Sequence, residues 1–170
     1  YSFTVDGNAS TVGNLTLRRT DQAGHSSSTH GYASGGQYGP TASFYDIIDK
    51  FSFVSEGTAT DVGDLTRAAG ESPGGHSSDT HGYTSGGYIT AGNSNVIDRF
   101  SFSVDGNATD VGDMTSARQS PSGTSSTTHG YSSGGSSTNV IDKFSFTANG
   151  NATDVGDITV GRYGPAGQQY

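Results

Sequence analysis

The 170-residue chain has no cysteine and no tryptophan, only 4 prolines and 8 basic side chains, and no long apolar run. Each absence removes a class of function. Without cysteine there is no disulfide framework, no thiolate nucleophile and no thiolate metal site. A thiol-free chain suits reducing and oxidising compartments alike, so this absence leaves location open. Lysine and arginine stand singly except at Arg18-Arg19 and face 16 acidic residues, so no basic stripe exists to neutralise a phosphate backbone and nucleic acid is not expected as a partner. No stretch approaches the roughly 20 apolar residues of a bilayer-spanning helix, and no membrane insertion is expected. The start, Tyr1-Ser2-Phe3, is neither an initiator methionine nor a basic-then-apolar leader, which reads as a processed chain or part of a longer one.

Leu, Ile, Val and Phe supply only 27 of the 170 residues, a level at which disorder has to be considered. Disorder also requires few aromatics and a high net charge, whereas this chain has 17 Phe and Tyr and a net charge of −8. We therefore expect a thin but regular core.

What the sequence does contain is repetition. Tyr1-Ser2-Phe3 recurs as Phe51-Ser52-Phe53, Phe100-Ser101-Phe102 and Phe144-Ser145-Phe146, at spacings of 50, 49 and 44 residues. This period marks a repeat array, with units at 1–50, 51–99, 100–143 and a partial unit at 144–170 forming a single repeat domain. A second block, His-Gly-Tyr-x-Ser-Gly-Gly, begins at His30, His81 and His129. Alternation of Val96, Phe100, Phe102 and Val104 with Arg99, Ser101 and Ser103 predicts strand, and the absence of a 3.6-residue period predicts less than about a tenth helix.

Asp6-Gly7, Glu56-Gly57, Asp105-Gly106 and Asn149-Gly150 predict tight two-residue hairpin turns within Tyr1–Val12, Phe51–Val62, Phe100–Val111 and Phe144–Val155. The register would pair Phe102 with Thr109 and Phe100 with Val111. It would bury Phe51/Phe53, Phe100/Phe102 and Phe144/Phe146 beside Val62, Val111 and Val155. Continued outward, it opposes Asp98 to Asp113, and likewise Asp49 to Asp64 and Asp142 to Asp157. Bulges at Gly63, Gly112 and Gly156 would relieve that repulsion.

Three constellations bear on chemistry. His30, His81 and His129 would converge if the units closed into a ring, and neutral imidazoles bind zinc, copper or nickel; the competing reading is that each bonds the backbone of the neighbouring unit. With Tyr32, Tyr83 and Tyr131 they form the candidate ligand-binding set, the tyrosines being either exposed for stacking or packed between units. Asp105, Asn107, Thr109 and Asp113 offer oxygens in a calcium-like spacing, which turn chemistry explains equally. His25 and His76 are expected at the surface. No serine lies in a nucleophile elbow beside a histidine–acid pair, and repetition places the same residues everywhere, so no catalytic residue and no cofactor are expected.

The Gly-Gly pairs, the aromatic-tipped strand and a closing Leu-Thr-x-x-x-Arg resemble kelch-type repeats of β-propellers, with Arg19, Arg118 and Arg162 matching the family's arginine. Ala69 departs from that pattern, and Val12, Val62, Val111 and Val155 or a neighbour stand where the family has Trp. Copper chemistry of the galactose oxidase type uses a Cys-linked Tyr, which a chain without cysteine cannot form. The phrase running through Asn-Val-Ile-Asp-Lys-Phe-Ser-Phe-Thr, Asn-Ala-Thr-Asp-Val-Gly-Asp and Thr-His-Gly-Tyr-x-Ser-Gly-Gly is similar to repeats in large structural proteins of marine bacteriophages, particularly cyanophages.

The expectation is an all-β, kelch-like β-propeller, with a β-trefoil or β-prism-like threefold body as alternative. The resemblance implies a non-enzymatic structural or adhesion module of a phage fibre, tail or neck, located in the virion or outside the cell. Its partners would be other virion proteins, copies of itself or a host surface glycan; a secreted lectin-like propeller and a calcium-stabilised scaffold are the alternatives. Four Phe-Ser-Phe hairpins against three Gly-Gly blocks leave one half-unit unpaired. Closure of Tyr1–Asn14 beside Phe144–Asp157 is expected, with an intersubunit contact at the Tyr163–Tyr170 tail.

Overall fold

Short β-prone runs separated by Ser, Gly and Asp turns produce strands and no helix among the described residues of this computed structural model, which are 8, 11–39 and 43–167. In chain order they are β1 (Ala23–Ser26), β2 (His30–Ser34), β3 (Gln37–Tyr38), β4 (Ser43–Phe44), β5 (Ile47–Ser52), β6 (Thr60–Asp64), β7 (Gly74–Ser77) and β8 (His81–Ser85). There follow β9 (Tyr88–Ile89), β10 (Gly92–Asn93), β11 (Val96–Ser101), β12 (Thr109–Asp113), β13 (Ser122–Ser125), β14 (His129–Ser133), β15 (Val140–Ser145) and β16 (Thr153–Asp157). They build three similar four-stranded antiparallel sheets, β1-β2-β5-β6, β7-β8-β11-β12 and β13-β14-β15-β16, with β3-β4 and β9-β10 as small ribbons. Each sheet is a meander, and the Gly-Gly pairs at Gly35-Gly36, Gly86-Gly87 and Gly134-Gly135 turn the chain out of its second strand at positive φ.

The hairpins are present in the three described copies, but not with two-residue turns; the first expected hairpin, Tyr1–Val12, lies largely outside the described residues. Thr109 pairs with Arg99 rather than Phe102, and residues 102–108 form the connection. The cause is Ser101, whose Oγ accepts the N–H groups of Ser103 at 3.1 Å and Val104 at 3.3 Å and bends the chain out of the ladder. Ser52 and Ser145 do the same. The expected bulge is there: Ile97 pairs with Gly112 and Asp98 with Asp110, leaving Val111 as the extra residue. Gly112 sits at φ 150° and donates its N–H to Asp110 Oδ1 at 3.0 Å, so the Asp-x-Gly sequence itself shapes the bulge.

The sheets are packed unusually close along columns of glycine. A Cβ on Gly75 would run into the carbonyl oxygen of Gly24, one on Gly123 into that of Gly75, and one on Gly167 into that of Gly123. On the outer strands Gly63 lies against Gly106 and Gly112 against Gly150 in the same way. Apolar residues fill the gaps between sheets: Tyr32, Ile48, Leu65 and Phe100 in one, Tyr83, Ile97, Met114 and Phe144 in the next.

The expected core is therefore correct in part. Phe100 and Phe144 are 3% exposed and Val111 is 9% exposed, whereas Phe102 and Phe146 are half-buried. Phe51 at 38%, Phe53 at 55% and Val155 at 46% are exposed, because each of these rows is buried by the adjoining sheet and not by its own. Of the expected closure, Val12 and Asn14 hold the first sheet's loop, their carbonyls accepting Gly57 N and Ala59 N at 2.8 Å; Tyr1–Gly7, Ala9 and Ser10 lie outside the described residues. The described part of the tail packs within its own chain: Gly167 lies against Gly123 of β13, and Gly164 N donates to Ser120 O, just before that strand, at 3.1 Å.

The glycine column yields a paired expectation. Gly75→Ala should cost about 1–3 kcal/mol by forcing two sheets apart, while Gly24→Ala, whose Cβ meets nothing within 4 Å, should be tolerated. Urea unfolding of both variants checks this, and equal losses would refute the stacking account.

Candidate functional site

Asp98 has the strand parity of Phe100, an acid on an apolar row, and it is completely buried. Its carboxylate accepts Thr66 Oγ1–H at 2.6 Å and Thr66 N–H at 3.2 Å, and it is ion-paired with the Arg67 guanidinium, all from the segment after the preceding sheet. Asp142 is held likewise by Thr115 and, at 2.8 Å, by Arg118, and Asp49 by Thr16 and, at 2.9 Å, by Arg19. Burial is the largest influence on the middle pair, pushing the Asp98 carboxyl up and the Arg67 guanidinium down, while their mutual attraction opposes it.

The arginines at 19 and 118 are the ones singled out in the sequence; at the third equivalent position stands Ala69, fully buried. Arg67 compensates from two residues earlier. Its Nη2 also donates to Gly86 O and Val96 O at 2.9 Å, whereas Arg19 and Arg118 reach Ala33 O and Ser132 O at 3.1 Å. Removing Arg67 by Arg67→Ala leaves a buried carboxylate unpaired and should cost about 3–5 kcal/mol. Arg67→Ala combined with Ala69→Arg should recover most of the loss, since it recreates the arrangement at Arg118. Denaturant midpoints of the single and double variants decide it.

His25 and His76 are buried, not at the surface as expected. His25 Nδ1 lies 3.1 Å from His76 O and Nε2 lies 2.8 Å from Ser34 Oγ, which in turn is 2.7 Å from Thr84 Oγ1 of the next sheet. His76 repeats this with Thr124 O, Ser85 and Ser132. A carbonyl only accepts, so Nδ1 carries the proton and Nε2 receives the serine hydroxyl. It is these two residues, and not His30, His81 or His129, that bond the neighbouring backbone. Each ring also stands edge-on to a phenylalanine, His25 to Phe100 at 5.1 Å and His76 to Phe144 at 5.0 Å.

Burial lowers both imidazoles to about 4. On acidification the unfolded chain, near 6.5, takes up protons first. The stability each histidine contributes is thus complete above about 6.5 and is lost as pH falls toward 4, on the order of 3 kcal/mol per histidine. Unfolding free energies at pH 7.5, 6 and 5 should show this slope, reduced by about half in His76→Gln; a flat profile would contradict the buried ladder.

The nominated site residues are distributed as follows. His30, His81 and His129 are half-buried, each Nδ1 within 2.8–2.9 Å of the preceding threonine hydroxyl. Tyr32 and Tyr83 are 2% exposed, stacked at 4.7 and 4.6 Å on Phe102 and Phe146, which lie just past the third strand of the following sheet, so their rings fill the gap between sheets; Tyr131 is half-buried. Asp105 accepts Lys50 Nζ at 2.9 Å and Asn107 Oδ1 accepts Asp64 N at 3.1 Å, both serving the preceding sheet, while Thr109 and Asp113 belong to β12. Among the described residues no three His, Cys, Asp or Glu are grouped to hold a metal. No family model matches the chain, and no curated protein matches it.

One feature of the surface escaped the sequence reading. Ser26–Ser28, Ser77–Asp79 and Ser125–Thr127, at the turns following β1, β7 and β13, line a groove of about 590 Å³ that runs across all three sheets. Ser27, Ser78 and Ser126 are engaged in their own turns, each Oγ accepting the backbone N–H of the residue three on. Ser28, Asp79 and Thr127 are exposed. The groove offers hydroxyls at the repeat spacing, one carboxylate, and neither cation nor aromatic ring. The only signal in the sequence was the run of serines before each Thr-His-Gly-Tyr, which reads as turn chemistry until the turns are stacked.

Proposed function

We propose that the chain is a non-enzymatic structural and adhesion module, a kelch-like propeller segment of a bacteriophage appendage that presents repeated loops to a cell surface or to neighbouring subunits. The observation that carries this is the hydroxyl-lined groove, in which the same turn is offered three times across adjacent sheets. Repeated, equivalent contacts give avidity with no single strong site, which suits a polymer of repeating hydroxylated units. The consecutive order of strands in each sheet supports the propeller-blade reading, and the resemblance of the repeat phrase to repeats in marine phage structural proteins is what suggests the virion. The histidines, acids and arginines with distinctive surroundings are engaged in joining sheets, which favours a scaffold over a catalyst.

A secreted lectin-like protein rests on the same groove. A glycan array probed with the multimerised chain tests the adhesive role: we expect binding to linear, hydroxyl-rich glycans. Binding should fall at least about tenfold when Ser28, Asp79 and Thr127 are replaced together by leucine. Absence of binding to any glycan and to any host cell would remove the adhesive role.

A further inference from the structure

Every junction between successive units uses the same pair of elements. The outer strand of one unit, Val-Gly-Asp/Asn, receives the Asp/Glu/Asn-Gly-x-Ala loop of the next. Asp64 O accepts Ala108 N and Asp113 O accepts Ala152 N, both at 2.7 Å, while Asn14 O accepts Ala59 N at 2.8 Å. The Asp64 and Asp113 N–H groups donate to Asn107 and Asn151 Oδ1 at 3.1 Å. Lys50 bonds Asp105 and Arg99 bonds Asn149, each at 2.9 Å. The Val-Gly-Asp/Asn segments at Val12, Val62 and Val111, the last two in β6 and β12, are thereby matched with the three loops at Gly57, Gly106 and Gly150.

One loop sequence and one strand have no partner among the described residues. The strand is Val155-Gly156-Asp157, and the loop is Asp6-Gly7-Asn8-Ala9, whose four residues are identical to Asp105-Gly106-Asn107-Ala108. Among the described residues nothing covers the strand's face: a Cβ on Gly156 would meet nothing within 4 Å, whereas those on Gly63 and Gly112 meet the next loop. Val155 is far more exposed than Val111, and among the described residues Tyr131 has no counterpart of the ring stack that buries Tyr32 and Tyr83. Lys143 holds the register position of Lys50 and Arg99.

We propose that the open face of the third sheet, Val155–Asp157 with Tyr131 and Lys143, is a docking site for the Asp6–Ala9 loop of a second copy of this chain. Asn8 and Ala9 would then supply the contacts that Asn107 and Ala108 make inside the chain, with Asp6 opposite Lys143. The occupant is a second copy because Val12 and Asn14, which follow the loop in sequence, are bonded to Gly57 and Ala59 beside the first sheet, and no described hydrogen bond joins the first sheet or residues 11–19 to the third sheet. The contact is heterologous, the loop of one copy against the strand of the other, so association continues head to tail into a ring or filament.

The test uses two variants of the whole chain, Ala9→Arg, which blocks the loop, and Val155→Arg, which blocks the strand, with folding verified by circular dichroism. In sedimentation velocity the unaltered chain should grow beyond one copy as concentration rises, and each variant alone should remain a monomer. Mixed one to one, the variants should form a heterodimer and stop there, since the intact loop of Val155→Arg fits the intact strand of Ala9→Arg. An unaltered chain that stays monomeric throughout, variants that assemble as it does, or a mixture that stays monomeric would each overturn the proposal.

Discussion

Close approach of backbones between sheets is the constraint on which the rest of the structure depends. A side chain on any of Gly63, Gly75, Gly112 or Gly123 would collide with backbone of the adjoining unit, so these positions bring the sheets nearer than ordinary face-to-face packing of about 10 Å allows. At that separation the main chain of one unit becomes a hydrogen-bonding partner for the next. Asp64 and Asp113 carbonyls, His76 and Thr124 carbonyls and the Gly150 N–H are all satisfied across a junction. This explains how a chain so poor in Leu, Ile, Val and Phe folds: part of the cohesion that a thicker core would supply comes from polar contacts made dry.

Such contacts are demanding. A buried Asp–Arg pair gains little net stability over apolar residues of the same size, but an unpaired buried carboxylate is very unfavourable. Asp49, Asp98 and Asp142 therefore select one register between units, the one in which an arginine from the preceding segment reaches them. The histidine–serine ladders act alike, because a displaced sheet leaves an imidazole without its carbonyl. The apolar rings are less selective and fill the space that the polar contacts define.

The same economy shapes what the surface can offer. The buried histidines, aspartates and arginines are spread one to a unit and engaged in joining units. Among the described residues the parts of the repeats that face outward are the serine turns along one edge and the uncovered Gly156 face of the last sheet, and the proposed adhesive and docking roles rest on these. Both are properties of the array and belong to no single unit.

The period, the all-β class, the strand carrying Phe100, the meander hairpins and the bulge at Gly112 follow from local chemistry, since alternation, Gly–Asp turns and self-similarity act within about fifty residues. The exclusion of thiol chemistry follows from composition alone. Which rows are buried was decided only by the tertiary structure: Phe100 and Phe51 occupy the same place in the repeat, yet one is covered by a preceding sheet and the other is exposed. For the same reason His25 and His76, which read as surface residues, are interior, and Asp98, which reads as a carboxylate in need of relief from Asp113, faces Arg67 instead. A repeat specifies the face that each unit presents, but burial depends on whether another unit lies against it, and that is a relation between residues some fifty positions apart which no local pattern records.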